Sequence, residues 1–206
     1  MTTREDAVII NSLVRQALTS AQEVMGDNGL NAVLRASGLE RFIGNFPPNN
    51  LEPSIQASQY AQLNQAIEEF YGRAGKGMLR RIGKASFQYG VREQAALLGV
   101  AGVALKILPE RQRIKFILNG MVDALKKSNP QVNAWVDESG GKLAYIESTC
   151  AICHSRQSQT PICYLYVGSI SEAVQWATGK EHEVIETHCL ARGDSYCRFE
   201  VGEARA

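Results

Sequence analysis

The sequence predicts an α+β protein in which N-terminal helices pack on a C-terminal antiparallel β-sheet carrying an inserted helix. Three observations lead there. Apolar residues recur every three or four positions as far as Pro130, which is the period of helices buried on one face. Beyond Pro130 they alternate in short runs separated by glycine-rich turns, the period of half-buried strands. All five cysteines (Cys150, Cys153, Cys163, Cys189, Cys197) and all three histidines (His154, His182, His188) then fall between Glu147 and Val201. That segregation points to one local site rather than scattered core thiols.

Val8, Ile9, Leu13, Ala17, Leu18 and Ala21 place a helix over residues 5–25, broken at Met25–Gly29 and followed by a short helix over Leu30–Ser37. The Asn45–Asn50 stretch with its Pro47-Pro48 pair, and Pro53 beyond it, is an extended connector. Residues 56–108 are helical, with Tyr60, Leu63, Ile67 and Phe70 on one face and Arg73, Lys76, Arg80 and Lys84 forming a basic stripe. Gly72, Gly75 and Gly77 within this stretch imply a break or a close backbone approach. Ala95–Leu105 is apolar on nearly every side and is expected as a central helix. Pro109 opens another helix, with Ile114, Ile117, Leu118, Met121 and Leu125 inward, that ends near Asn129-Pro130.

Val132–Asp137 and Lys142–Thr149 form a hairpin around Glu138–Gly141. A helix is secure from Ser171 to Gly179, and Glu183–Cys189 with Tyr196–Val201 makes a second hairpin. The chain is expected to divide into a helical arm at 1–50 and a main domain at 51–206, packed together as one compact unit.

The balance of charges is +1, which gives no general attraction to nucleic acid or anionic membrane. The N-terminus lacks the pattern of a signal peptide, and no run reaches the ~20 apolar residues of a membrane span. A cytoplasmic location is therefore expected, where clustered cysteines are metal ligands or redox groups more often than disulfides.

Strict alternation puts Ile185, Thr187 and Cys189 on one strand face, and Cys197, Phe199 and Val201 on one face of its partner. Cys163 stands before the inserted helix. These three thiolates supply most of a tetrahedral zinc site, and Cys150, Cys153 or Glu147 is the candidate fourth ligand. Cys150-Ala151-Ile152-Cys153-His154 is also the pattern of covalent haem attachment. Trp135, Tyr145, Tyr164, Tyr166 and Trp176 are expected to line a flat-sided apolar cavity suited to a planar ligand, with Arg73, Arg80 or Arg81 at its rim. The small-residue surface of Tyr71–Gly83 and Ala95–Leu105 predicts a homodimer.

Pro161-Ile162-Cys163, Gly168, Glu186-Thr187-His188-Cys189 and Gly193–Phe199 together resemble the 4-vinyl reductase domain family, related to the NO-signalling and TRAPP-type ligand-binding fold. Phe70–Gly77 and Arg81-Ile82-Gly83 resemble its helical half. The resemblance implies a sensor-like binding domain, since a similar domain in phenol-sensing transcription activators holds an aromatic effector beside a zinc bound by three cysteines and an acidic residue. The cysteines carry over to Cys163, Cys189 and Cys197; the acidic position stays open between Glu147 and replacement by Cys150 or Cys153. Family members near bacteriochlorophyll synthesis imply a tetrapyrrole-related accessory or catalytic role as the alternative, and the TRAPP-type relatives imply a structural adaptor. No nicotinamide fingerprint is present, which favours binding over catalysis.

Overall fold

The computed structural model describes residues 6–93, 105, 107–129 and 131–205. Two antiparallel sheets and five α-helices organise them. Strand β1 (Val8–Ile10) pairs with β2 (Pro53–Gln56), so the first helix starts later than expected. Helix α1 (Asn11–Ala36) is interrupted at Gly26, whose φ of 72° is the left-handed conformation that glycine adopts without penalty. The predicted break is therefore present, inside one continuous helical arm.

Helix α2 (Ala57–Tyr71) ends at Gly72, and α3 (Gly75–Glu93) begins three residues later. Gly75 is the close approach: a Cβ there would lie 2.2 Å from the Glu68 carbonyl oxygen. Gly83 makes a second, against the helix inserted in the sheet. Two glycines of this stretch thus serve contacts inside the chain and do not supply the dimer surface expected of them. Apart from Leu105, the other segment proposed for that surface, Ala95–Leu105, lies outside the described residues. Helix α4 (Glu110–Ser128) follows Pro109 and buries Ile114, Ile117, Leu118 and Val122.

The main sheet contains β3 (Ala134–Asp137), β4 (Leu143–Glu147), β5 (His182–His188) and β6 (Cys197–Ala204) in the order β3-β4-β6-β5, antiparallel throughout. Helix α5 (Tyr164–Thr178) joins the hairpins and starts at Tyr164 rather than Ser171. The run Tyr164–Val167 has strand propensity, but burial against α3 makes it helical. The inward face of the sheet carries Leu143, Tyr145 and Glu147 from β4, Phe199 and Val201 from β6, and Val184 and Glu186 from β5.

One register detail corrects the alternation read from sequence. Ile185 is 49% exposed, on the outward face, while Val184 and Glu186 are buried. Between Glu186 and His188 the pairing slips, Glu186 facing Phe199 and His188 facing Arg198, so Thr187 is an extra residue on β5. Such a bulge reverses the side-chain alternation beyond it. Cys189 therefore comes inward together with Glu186, which strict alternation would place on the opposite face.

Candidate metal centre

The five cysteines come from four segments and meet inside the protein, each with 0% exposure. The loop after β4 brings Cys150 and Cys153. Cys163 is the N-cap residue of α5, and burial pushes its thiol well above the ordinary range. Cys189 follows β5, and Cys197 opens β6. Their sulfurs lie 3.7 Å (Cys150–Cys163), 3.5 Å (Cys153–Cys197), 3.9 Å (Cys163–Cys189) and 3.9 Å (Cys163–Cys197) apart. A tetrahedron with ~2.3 Å metal–sulfur bonds has sulfur–sulfur edges of about 3.8 Å. The thiol spacing is that of a metal-thiolate centre.

Two four-donor sets satisfy the geometry: Cys150, Cys153, Cys163 and Cys197; and Cys163, Glu186, Cys189 and Cys197. Within each, all donor atoms lie within 4.8 Å of one another. The Glu186 carboxyl accepts a 2.7 Å hydrogen bond from the Cys163 backbone N–H through Oε2, while its buried Oε1 has no hydrogen-bond partner. Burial, then the nearby Cys189, pushes this carboxyl up to about 9. A cation at the cysteines would supply the orphaned oxygen with a partner and hold the group ionised. Cys153, raised by Cys150 but lowered by Cys163, Cys189 and Cys197, falls to about 5. The donor set fits a soft, tetrahedral divalent ion.

The surrounding backbone holds the donors in place. The Cys189 N–H donates to Asp194 Oδ2 at 2.7 Å, and the Arg192 guanidinium fixes that carboxylate from the other side. The Leu190 N–H points at Cys197 Sγ, 3.4 Å away. Glu186 was not among the sequence candidates because the bulge at Thr187 leaves no trace in residue types.

Glu147, the acidic candidate named from sequence, belongs to neither set. It is 2% exposed on the inward sheet face and accepts a hydrogen bond from Tyr145 at 3.4 Å. Burial pushes its carboxyl up to about 7, with hydrogen bonds from Tyr166 and Tyr145 opposing. The folded protein then holds this proton more tightly than the unfolded chain does. The contribution is thus full at low pH and is lost as pH rises through about 7. Glu147→Gln is expected to flatten that part of the melting-temperature profile. Wild-type and variant profiles of equal slope between about pH 5 and pH 8 would contradict the assignment.

The five predicted pocket aromatics do not converge. Tyr145 and Tyr166 form a triad with Phe199, with ring centroids 5.7, 6.2 and 5.5 Å apart. Trp135 is 36% exposed and packs edge-on against Tyr196, because it pairs with Ile146 in β4 and takes the outward face. Trp176 packs on Phe87 of α3. Tyr164 lies beneath Lys76 and Arg80, 5.2 and 5.8 Å from its ring centre. Arg73 is exposed in the turn between α2 and α3, and Arg81 is exposed on α3.

The histidines do not fit haem. His154 is buried 3.5 Å from Asp6, His182 bonds the Gly202 carbonyl and lies 3.6 Å from Glu110, and His188 leans on Tyr196. Cys150 and Cys153 of the Cys-x-x-Cys-His run point into the thiol cluster, so neither is presented for a covalent bond to a porphyrin edge.

Residues 146–203 match the V4R domain, in the segment whose motifs carry the sequence resemblance. A 52-residue segment is 38% identical to the protein MJ0745 of Methanocaldococcus jannaschii, a match spanning 25% of this chain and 29% of that protein. The fold is that of H-NOX domains. An S. oneidensis H-NOX protein in its Fe(II)NO state superposes with a TM-score of 0.59 at 11% identity, over 93% of this chain and 99% of that one. An H-NOX structure addressing haem distortion gives 0.63 at 12% identity, over 94% and 93%. Unliganded Fe(II) H-NOX from K. algicida gives 0.59 at 12% identity, over 96% and 97%. Among the described residues, no helix is long and apolar enough to cross a membrane.

Proposed function

We propose that this protein is a sensor-like small-molecule-binding module whose sheet and helices are tied together by structural zinc. The observation that carries the reading is the group formed by buried Tyr145 and Glu147 and the half-buried Tyr166 ring, on the same sheet face as the metal centre. Hydroxyls and a carboxyl in such a place are what an apolar binding site uses to orient its ligand. H-NOX structures of the same fold hold haem iron with nitric oxide or oxygen. The histidines here favour a different ligand, a planar aromatic of up to tetrapyrrole size gripped by rings and hydroxyls rather than through an iron–histidine bond. Its entry would displace the Tyr166 ring from Tyr145 and Phe199.

Zinc is assigned to Cys163, Glu186, Cys189 and Cys197, on the strength of the orphaned Glu186 oxygen. It would act structurally, holding the start of α5 to the ends of β5 and β6. A ligand that moves α5 would then pull on a fixed point.

The test is tryptophan fluorescence titrated with simple phenols and with porphyrins. Wild type is expected to bind at least one class tighter than about 100 μM, roughly −5.5 kcal/mol. Tyr166→Ala is expected to weaken that binding at least about tenfold, or ~1.4 kcal/mol. No binding by either class would leave the adaptor reading in its place.

A further inference from the structure

Six buried donors exceed what one tetrahedral ion accepts, and they divide into two sets of four that share Cys163 and Cys197. We propose that the centre is binuclear, with two divalent ions bridged by the Cys163 and Cys197 thiolates, Cys150 and Cys153 completing one ion and Glu186 and Cys189 the other. This rests on the zinc reading of the Glu186 set and adds a second ion to it.

The geometry separates the terminal ligands as such a pair requires. Cys150 and Cys153 appear only in the all-sulfur set, Glu186 and Cys189 only in the other. The two shared sulfurs stand 3.9 Å apart and form the common edge of two tetrahedra. A thiolate has the lone pairs to bind two ions at once. Cys163 stands at the N-terminus of α5, and Cys197 Sγ faces the Leu190 N–H at 3.4 Å.

Charge balance permits the pair. With one divalent ion Cys150 and Cys153 stay buried neutral thiols, and with two ions all the donors are anionic, so the net charge of the buried site is the same in both cases. Only the second arrangement engages every donor. The second site also gives the Cys150–Cys153 loop a role. It fastens the segment after β4 to the start of β6, and it joins the two hairpins through the metals as well as through β4–β6 pairing.

The full-length protein should be prepared anaerobically, loaded with zinc, desalted and weighed by native mass spectrometry. Two zinc ions per chain are expected, falling to one in Cys150→Ser/Cys153→Ser. If that variant fails to fold, ¹¹³Cd NMR of the cadmium-loaded wild type decides: two resonances with mutual scalar coupling are expected, since coupling passes through shared sulfurs. One zinc per chain with a single cadmium resonance overturns the second ion and leaves the Glu186 site standing. No metal overturns both. Two ions that persist in the double-serine variant, two uncoupled cadmium resonances, or iron with acid-labile sulfide in place of zinc, each overturn the bridged pair.

Discussion

Cys197→Ser is expected to release the metal and to destabilise the protein by on the order of 4 kcal/mol or more, the range reached when a structural metal is lost. For a domain of this length that corresponds to a fall in melting temperature of roughly 8–16 °C. The size follows from the position of Cys197. It belongs to both donor sets, opens β6, and its sulfur lies 3.5 Å from Cys153 and 3.9 Å from Cys163. Losing it frees the loop after β4, the start of α5 and the end of β5 together, and each must then be ordered by packing alone. Chelation should reproduce the effect in wild type and add little in the variant. Calorimetry with and without chelator, beside elemental analysis, checks it. Equal melting temperatures for all four samples would exclude a metal from the stability of this fold.

The broad architecture was legible because it depends on periodicity. The change at Pro130, both hairpins and the break at Gly26 all rest on local residue chemistry, and the structure contains each of them. Convergence of the cysteines was legible from their clustering and from the alternation of β6. Glu186 was hidden for a physical reason: a bulge adds one residue to a strand without demanding a particular side chain, so parity arguments fail beyond it. Where the five aromatics stand relative to one another is a tertiary matter: Tyr145 and Tyr166 meet, and the other three lie apart. Trp135 and Tyr145 lie on adjacent strands but on opposite faces, a difference fixed by the β3–β4 register. Trp176 packs on Phe87 of α3, a contact between helices that no local residue pattern records.

Gly168→Ala is expected to destabilise the protein by about 3 kcal/mol, although alanine is the better helix former by ~1 kcal/mol. Gly168 lies in α5 against α3, and a Cβ there would stand 2.0 Å from the Arg80 carbonyl oxygen and 2.7 Å from its carbon. The contact is reciprocal: a Cβ at Gly83 would stand 2.0 Å from the Leu165 oxygen and 2.8 Å from the Ser169 nitrogen. These neighbours are backbone, so no side chain can swing aside, and the helices must separate. Gly83→Ala should cost a similar amount. The double variant should cost less than the sum, because the first methyl opens the gap that admits the second. Gly77→Ala is the control, since open space surrounds that position and its helix propensity should make the change neutral or stabilising by up to ~1 kcal/mol. Urea unfolding of the four variants measures all of this. Because Cys163 heads the same helix, Gly168→Ala should also weaken metal retention against a competing chelator, whereas Gly77→Ala should not. A Gly168→Ala protein as stable as wild type, with its metal held as tightly, would mean that α3 and α5 do not cross at these two glycines.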